Sequence, residues 1–376
     1  METSEATPEG AVRAPDLADV VARAGPFATV YLTTESRIEN AAHRSEQRWK
    51  AARRDLEAQG APRAAVETVD PWVAEGHLHG ECLAVVSTAE GLLHVEHGPD
   101  PLPVDVATWA PLPSLGRVLA WRQEALPYVT VLVDRRGADI AAFRRERRLL
   151  EVEAEGEDYP IRKAAPGGWS QRRYQQRAEN TWEHNAKNVA EEVARVVERV
   201  GARLVVAAGD VRAIQLLRED LPDSVLAILH VVKGGRSWDG SEDEFAVEVR
   251  GALDALVRRD RERLLDLFEQ ELGQGDRAAR GAAPTLEALS MSQVDVLIVS
   301  DDPDDRRTAW FGPGPSQISA EAAVLRSLGA EPVVEARLVD VAVRGALRTG
   351  AGILVLPGGE GPDEGLGAIL RWGTRP

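Results

Sequence analysis

The chain has 376 residues, 44% of them hydrophobic, which predicts two or three domains with ordinary cores. A formal net charge of −16 excludes a protein that coats nucleic acid through general basicity, so any RNA contact must come from local basic patches. The single cysteine, Cys82, excludes an internal disulfide framework and fits a reducing cytoplasm, and no apolar run approaches the ~18 residues of a membrane span.

Residues 1–15 are acidic and polar, lack the basic and apolar regions of a signal peptide, and read as a disordered leader. Residues 27–32 read as a strand and 38–59 as an Ala-, Arg- and Glu-rich helix stopped by Gly60 and Pro62. A second helix is expected over 63–75, interrupted by Pro71. Residues 81–88 and 92–97 read as paired strands around Glu90 and Gly91, and the proline-rich 99–113 as irregular. A short helix over 115–125 closes an N-terminal α/β domain, 1–125. His77, His79, Cys82, His94 and His97 fall close together there. Their spacing matches no metal motif, and exposed strand and turn histidines are the plainer reading.

A second domain, 126–275, opens on the buried-strand pattern of 128–134. Gly137 and residues 138–145 predict a hairpin, and 149–155 extend the sheet. Arg144, Arg145, Arg147 and Arg148 suit either a phosphate-contacting loop or a solvated hairpin face. A helix follows from about residue 170 to 200, its apolar face formed by Tyr174, Ala178, Trp182, Val189, Val193, Val196 and Val200. Strand 203–208, helix 211–221, strand 224–232 and helix 242–272 then alternate, implying a sheet with mostly parallel pairing. Gly234, Gly235 and Arg236 read as a plain turn. Residues 273–284 read as a linker.

The third domain, 276–376, carries a strand at 294–300, helix 319–328, strand 331–336, helix 338–348, strand 352–356 and a short closing segment at 365–372. Asp301 to Asp305 lacks the glycine and glutamate of a calcium loop and reads as a surface turn. Pro357 to Gly361 has no Gly-Lys-Ser/Thr, so it is not a Walker loop. No cofactor and no metal is expected. The whole reads as an α/β protein of three domains: the middle one a mixed sheet with helices, the last a small α/β sandwich.

The most informative stretch is the one that opens the long helix: Gly167, Gly168, Trp169, Ser170, Gln171, Arg172, Arg173. Ser170 is a candidate N-cap. Arg172, Arg173 and Arg177 crowd the first two turns, where the helix dipole favours acids instead. Between residues 160 and 177 there is no acid, while Arg162 and Lys163 add further positive charge. Such a segment is shaped for an anionic partner.

A Gly-Gly-x-x-Gln loop entering a basic helix resembles the middle domain of the archaeal and eukaryotic class-1 release factors and Pelota. The end of the chain, Gly365 to Trp372, is similar to the closing motif of those factors. The resemblance covers residues 126–376. The N-terminal domain does not resemble the stop-codon reader. The bacterial branch, with Gly-Gly-Trp-Ser-Gln-Arg-Arg-Tyr, is similar to proteins grouped with the ribosome hibernation factor Balon. The resemblance implies binding in the A site of the 70S ribosome, beside rRNA and the tRNA acceptor end, with elongation factor Tu as a partner and a cytoplasmic location.

In release factors the glutamine of the Gly-Gly-Gln tip helps to position water against the ester of peptidyl-tRNA. Here Trp169 and Ser170 separate Gly168 from Gln171, a looser Gly-x-x-Gln spacing that resembles ribosome-quality-control peptidyl-tRNA hydrolases. Two chemistries are open. Gln171 orients water as a catalytic residue, or Trp169 stacks on a base, worth about 1–3 kcal/mol, with Gly167, Gly168, Ser170, Arg172, Arg173, Arg177, Arg162 and Lys163 as RNA contacts. The function classes that follow are A-site occupancy in hibernation or stress protection, peptidyl-tRNA hydrolysis in ribosome rescue, or an RNA-binding scaffold.

Overall fold

A computed structural model describes residues 8–35, 39–76, 80–134, 137–144, 147–155, 169–233, 242–275 and 277–373. The fold is mixed α/β, with four sheets among the described residues. Two compact units divide the chain: Met1–Gln123 together with Arg259–Pro376, and Glu124–Arg258.

In the first unit the strand Phe27–Thr33 is buried along its whole length, because it separates two cores. Successive side chains of a strand point to opposite faces. Ala28, Val30 and Leu32 therefore pack with Trp49 and Leu56 of the helix Ala41–Ala58 and with Ala65 and Val66 of the helix Arg63–Glu67. Phe27 and Tyr31 face the other way. They join a core that also holds Leu297, Val299, Val341 and Ile353 from the far end of the sequence. The sheet is antiparallel, in the order Gly91–Gly98, Cys82–Thr88, Phe27–Thr33, Val106–Ala110.

The second sheet of this unit runs in the order Ala278–Arg280, Leu366–Leu370, Val294–Asp301, Gly352–Pro357. Val294–Asp301 and Gly352–Pro357 pair in parallel, and the helix Leu338–Thr349, almost wholly buried, makes the crossover. On the opposite face Val296, Ile298 and Leu354 pack against Leu264 and Phe268 of the helix Glu242–Gln274. The two ends of the unit are also tied by the backbone. Val12 and Ile353 exchange N–H···O bonds of 2.9 Å in both directions, and the Gln123 amide donates to the Val355 carbonyl at 3.3 Å while accepting from the Val355 N–H at 3.0 Å.

In the second unit the sheet order is Arg147–Glu155, Gly137–Arg144, Pro127–Val133, Leu204–Gly209, Leu229–Val231. Helices Trp169–Val200 and Val211–Asp220 cover one face, through Val189, Val193, Ile214 and Leu217. Val249 and Leu256, in the first half of the helix Glu242–Gln274, belong to a core with Tyr128, Leu204 and Val206 on the other face.

Several expectations change. The middle sheet is not mostly parallel: its first two pairings are antiparallel and its last two parallel. Short hairpin connections permit only antiparallel neighbours. The irregular stretch 99–113 contains the strand Val106–Ala110. The strand expected over 224–232 is a helical turn, Asp223–Leu226, and a short strand, Leu229–Val231. Pro71 lies in the first turn of the helix Asp70–Gly76 rather than interrupting one, as proline is tolerated there. The linker 273–284 holds the strand Ala278–Arg280 and the start of the helix Ala282–Ser290, whose Leu286 and Leu289 are buried. The leader is structured from residue 8 onward: Val12 pairs with Ile353, and Pro15–Val20 is a helix. The closing segment is an inner strand of its sheet. Among the described residues no helix is long and apolar enough to cross a membrane.

Candidate functional site

The helix Trp169–Val200 is held from Asn185 onward: Asn185, Ala186, Val189, Ala190, Val193 and Val196 are all buried. Sixteen residues precede Asn185 in the helix, about 24 Å at 1.5 Å per residue. Trp169, Ser170, Gln171, Arg172 and Arg173 form its first turns, and Arg177 follows one turn later. Because the helix begins at Trp169, Ser170 lies inside the first turn and is not its cap. Gly167, Gly168, Arg162 and Lys163 lie outside the described residues, as do Gly234, Gly235, Arg236 and Arg145.

The parallel strands Pro127–Val133 and Leu204–Gly209 end beside the held part of this helix. Ligands of open α/β sheets commonly bind at the carboxyl ends of such strands. Here that end is closed. Gly209, at φ +146°, brings the second strand so near the Val133 carbonyl that a side chain on residue 209 would overlap it. Asp210 N–H donates to that carbonyl at 3.1 Å. Asp210 then caps the helix Val211–Asp220, its Oδ1 accepting from the N–H groups of Arg212 at 2.9 Å and Ala213 at 3.2 Å. Asp134 Oδ1 accepts from Gly137 N–H at 3.0 Å. The space left between Asp134, Asn185 and Arg212 is about 10 Å³, too small for a substrate.

The basic hairpin divides its charges. Arg148 donates to Glu151 at 2.6 Å and stands over the Phe143 ring, 5.7 Å from its centre. Arg144 and Arg147 sit opposite one another in the register and are exposed.

His94 lies 3.3 Å from Glu96, which also accepts from Arg122 at 2.9 Å. Cys82 is buried, and His77 and His79 lie outside the described residues. Among the described residues no group of three or more His, Cys, Asp or Glu side chains could hold a metal.

In the first unit the structure joins two motifs that the sequence presents as separate turns. Asp302, Asp304, Asp305 and Arg307 line one cleft with Glu360 and Gly361, about 310 Å³ in volume, at the carboxyl ends of the parallel strands. Asp305 is tied to Arg307 at 2.6 Å, and that bond holds its carboxyl below the usual range. Asp301 accepts from Arg337 at 2.9 Å.

The same unit buries three polar side chains that sequence reading missed. Tyr31 donates its hydroxyl to the Ser114 carbonyl at 2.7 Å, and burial pushes its pKa up. Asp340, 7% exposed and 3.7 Å from Arg337, is pushed up to about 7, chiefly by burial. Arg344, 3% exposed, is pushed down to about 10 by the same cause. The available signal was two charged residues inside an otherwise apolar helical run, 338–347.

Residues 127–274 match the family model of bacterial archaeo-eukaryotic release factor family 2. The release-factor resemblance read from the sequence is borne out over that segment. The chain is 27% identical to an uncharacterized protein of Mycobacterium tuberculosis over 361 residues, 94% of this chain and 95% of that relative. Solved structures similar to it include Pelota of Archaeoglobus fulgidus, at 14% identity, TM-score 0.37, covering 100% of this chain and 99% of that one. An archaeal translation termination factor aligns at 16% identity, TM-score 0.26, over 94% of this chain and 96% of its own.

Proposed function

We propose that this protein is a translation factor of release-factor type that binds the 70S ribosome and occupies its A site, in hibernation or protection under stress. The family match over residues 127–274, the segment that contains the long helix, is the observation that carries the reading. The charge pattern supports it. Arg172, Arg173 and Arg177 stand in the first turns of a helix whose own dipole disfavours them, and an RNA backbone supplies the missing negative charge. Elongation factor Tu is the proposed delivery partner, and the cytoplasm the proposed location. In this reading Trp169 stacks on a base, and Gly167, Gly168, Ser170, Arg162 and Lys163 complete the RNA contact.

A second reading rests on one observation, the Gly168-x-x-Gln171 spacing: hydrolysis of peptidyl-tRNA, with Gln171 orienting water. Occupancy is preferred, because Gln171 belongs to the first turn of a helix that starts two residues earlier. Catalysis needs that side chain placed to within about an ångström.

Co-sedimentation with 70S particles tests the proposal. Wild type co-sediments, and Arg172→Glu with Arg173→Glu weakens binding at least tenfold and flattens its dependence on salt by about 1–2 logarithmic units of slope. Equal sedimentation of both proteins overturns the role of the helix start. No association of wild type overturns the ribosomal reading. Peptide release from stalled complexes by wild type but not by Gln171→Ala selects hydrolysis.

A further inference from the structure

Residues 21–26 and the loop 311–313 enclose a cleft of about 470 Å³ in the first unit. That is the size of a small-molecule site. Pro26, Pro111, Leu112, Phe311 and Val334 give it apolar walls. Its two charged residues are both cations, Arg23 on the exposed turn and Arg344 in the buried helix Leu338–Thr349, and no carboxylate lines it.

Arg344 is unusual in this acidic protein. Arg337 and Arg277 meet the carboxylates of Asp301 and Glu271. Arg344 Nη2 donates only to carbonyls, those of Gly312 at 2.9 Å, Pro313 at 3.3 Å and Gly314 at 3.2 Å. Nη1 is buried with no acceptor among the described residues. The guanidinium lies 5.0 Å from the centre of the Phe311 ring, which offsets part of the burial. Arg348 adds repulsion, and the group stays charged at neutral pH, since burial brings it down only to about 10. A buried cation with no opposite charge is costly to the fold. An anion that brings its own apolar body removes that cost and fills the walls.

We propose that this cleft is a binding site for a small amphipathic monocarboxylate, its alkyl body against Pro26, Leu112, Phe311 and Val334 and its carboxylate at the Arg344 and Arg23 side. Arg344 thereby does two things: Nη2 fixes the loop 312–314, and the remaining charge selects the ligand. The site is independent of the helix start at Trp169, so its test does not depend on the ribosomal reading.

Calorimetric titration of the full chain with octanoate, octanol and inorganic phosphate decides it. Octanoate binds, octanol binds at least about tenfold more weakly, the loss expected for one charge-assisted hydrogen bond, and phosphate gives no heat. Ala24→Trp, on the exposed turn that lines the cleft, fills the space and abolishes binding. Arg23→Glu weakens it without touching the loop that Arg344 holds. The proposal fails if octanoate does not bind at millimolar concentration, if octanol or phosphate matches it, or if Ala24→Trp binds as wild type does.

Discussion

Each unit contains parallel strands, and Pro127–Val133 with Leu204–Gly209 in one end differently from Val294–Asp301 with Gly352–Pro357 in the other. In the second unit Val133 and Gly209 close on one another, and the aspartates that follow, Asp134 and Asp210, turn their oxygens onto backbone N–H groups. In the first, Val294–Asp301 and Gly352–Pro357 open into a cleft of about 310 Å³ edged by Asp302, Asp304 and Glu360. Topology alone would mark both as ligand sites. One glycine and one helix cap decide otherwise: carboxylates consumed by capping are not available for chemistry.

Three substitutions break or sharpen that contrast. Gly209→Ala has the largest expected effect. It places a methyl group against the Val133 carbonyl at a φ that side chains rarely adopt, and costs about 3–5 kcal/mol. Urea unfolding followed by circular dichroism checks it. A change below about 1 kcal/mol refutes the close approach.

Asp340→Asn acts in the unit that holds the other pair. The folded carboxyl titrates near 7, above its unfolded value of 3.8, so the folded state holds the proton more tightly. The stability this gives is complete below about pH 4 and is lost as the pH rises to about 7. The asparagine variant lacks this decline. Between pH 4 and 8 its stability gains on wild type by on the order of 4 kcal/mol, read from denaturant midpoints at each pH. Parallel pH profiles for the two proteins eliminate the buried, neutral Asp340.

Asp210→Ala removes the cap of Val211–Asp220 and costs about 1 kcal/mol. Faster amide exchange at Arg212 and Ala213 distinguishes a lost cap from a general loss of stability. Unchanged exchange there would show that the closed end does not depend on this side chain.

Much of the local structure was legible in the sequence. Residues 27–32, 128–134, 203–208, 294–300 and 352–356 are largely apolar runs of strand length, and each matches a strand to within a residue or so at either end. The 3.6-residue spacing of Val189, Val193, Val196 and Val200 marks the held face of the long helix. What escaped was short or hidden by composition. Ala278–Arg280 has three residues and no apolar periodicity, and becomes a strand by pairing with Leu366–Leu370, nearly ninety positions away. Val106–Ala110 lies among prolines and gains its place only by pairing with Phe27–Thr33. The start of the long helix was conspicuous because Arg172, Arg173 and Arg177 oppose the helix dipole. Asp340 and Arg344 were not, since a single charge on a helix reads as solvated until something buries it.

The sequence by itself determined the class of most elements, the absence of a disulfide framework and the basic start of the long helix, because these follow from composition and from contacts a few residues apart. Tertiary structure alone decided that Phe27–Thr33 separates two cores, that Val12 pairs with Ile353, and that one parallel strand pair is sealed while the other stays open. Those outcomes depend on groups from about sixty to more than three hundred residues apart meeting within a few ångströms. No local pattern encodes whether a carboxylate there will find an N–H, a guanidinium or open space.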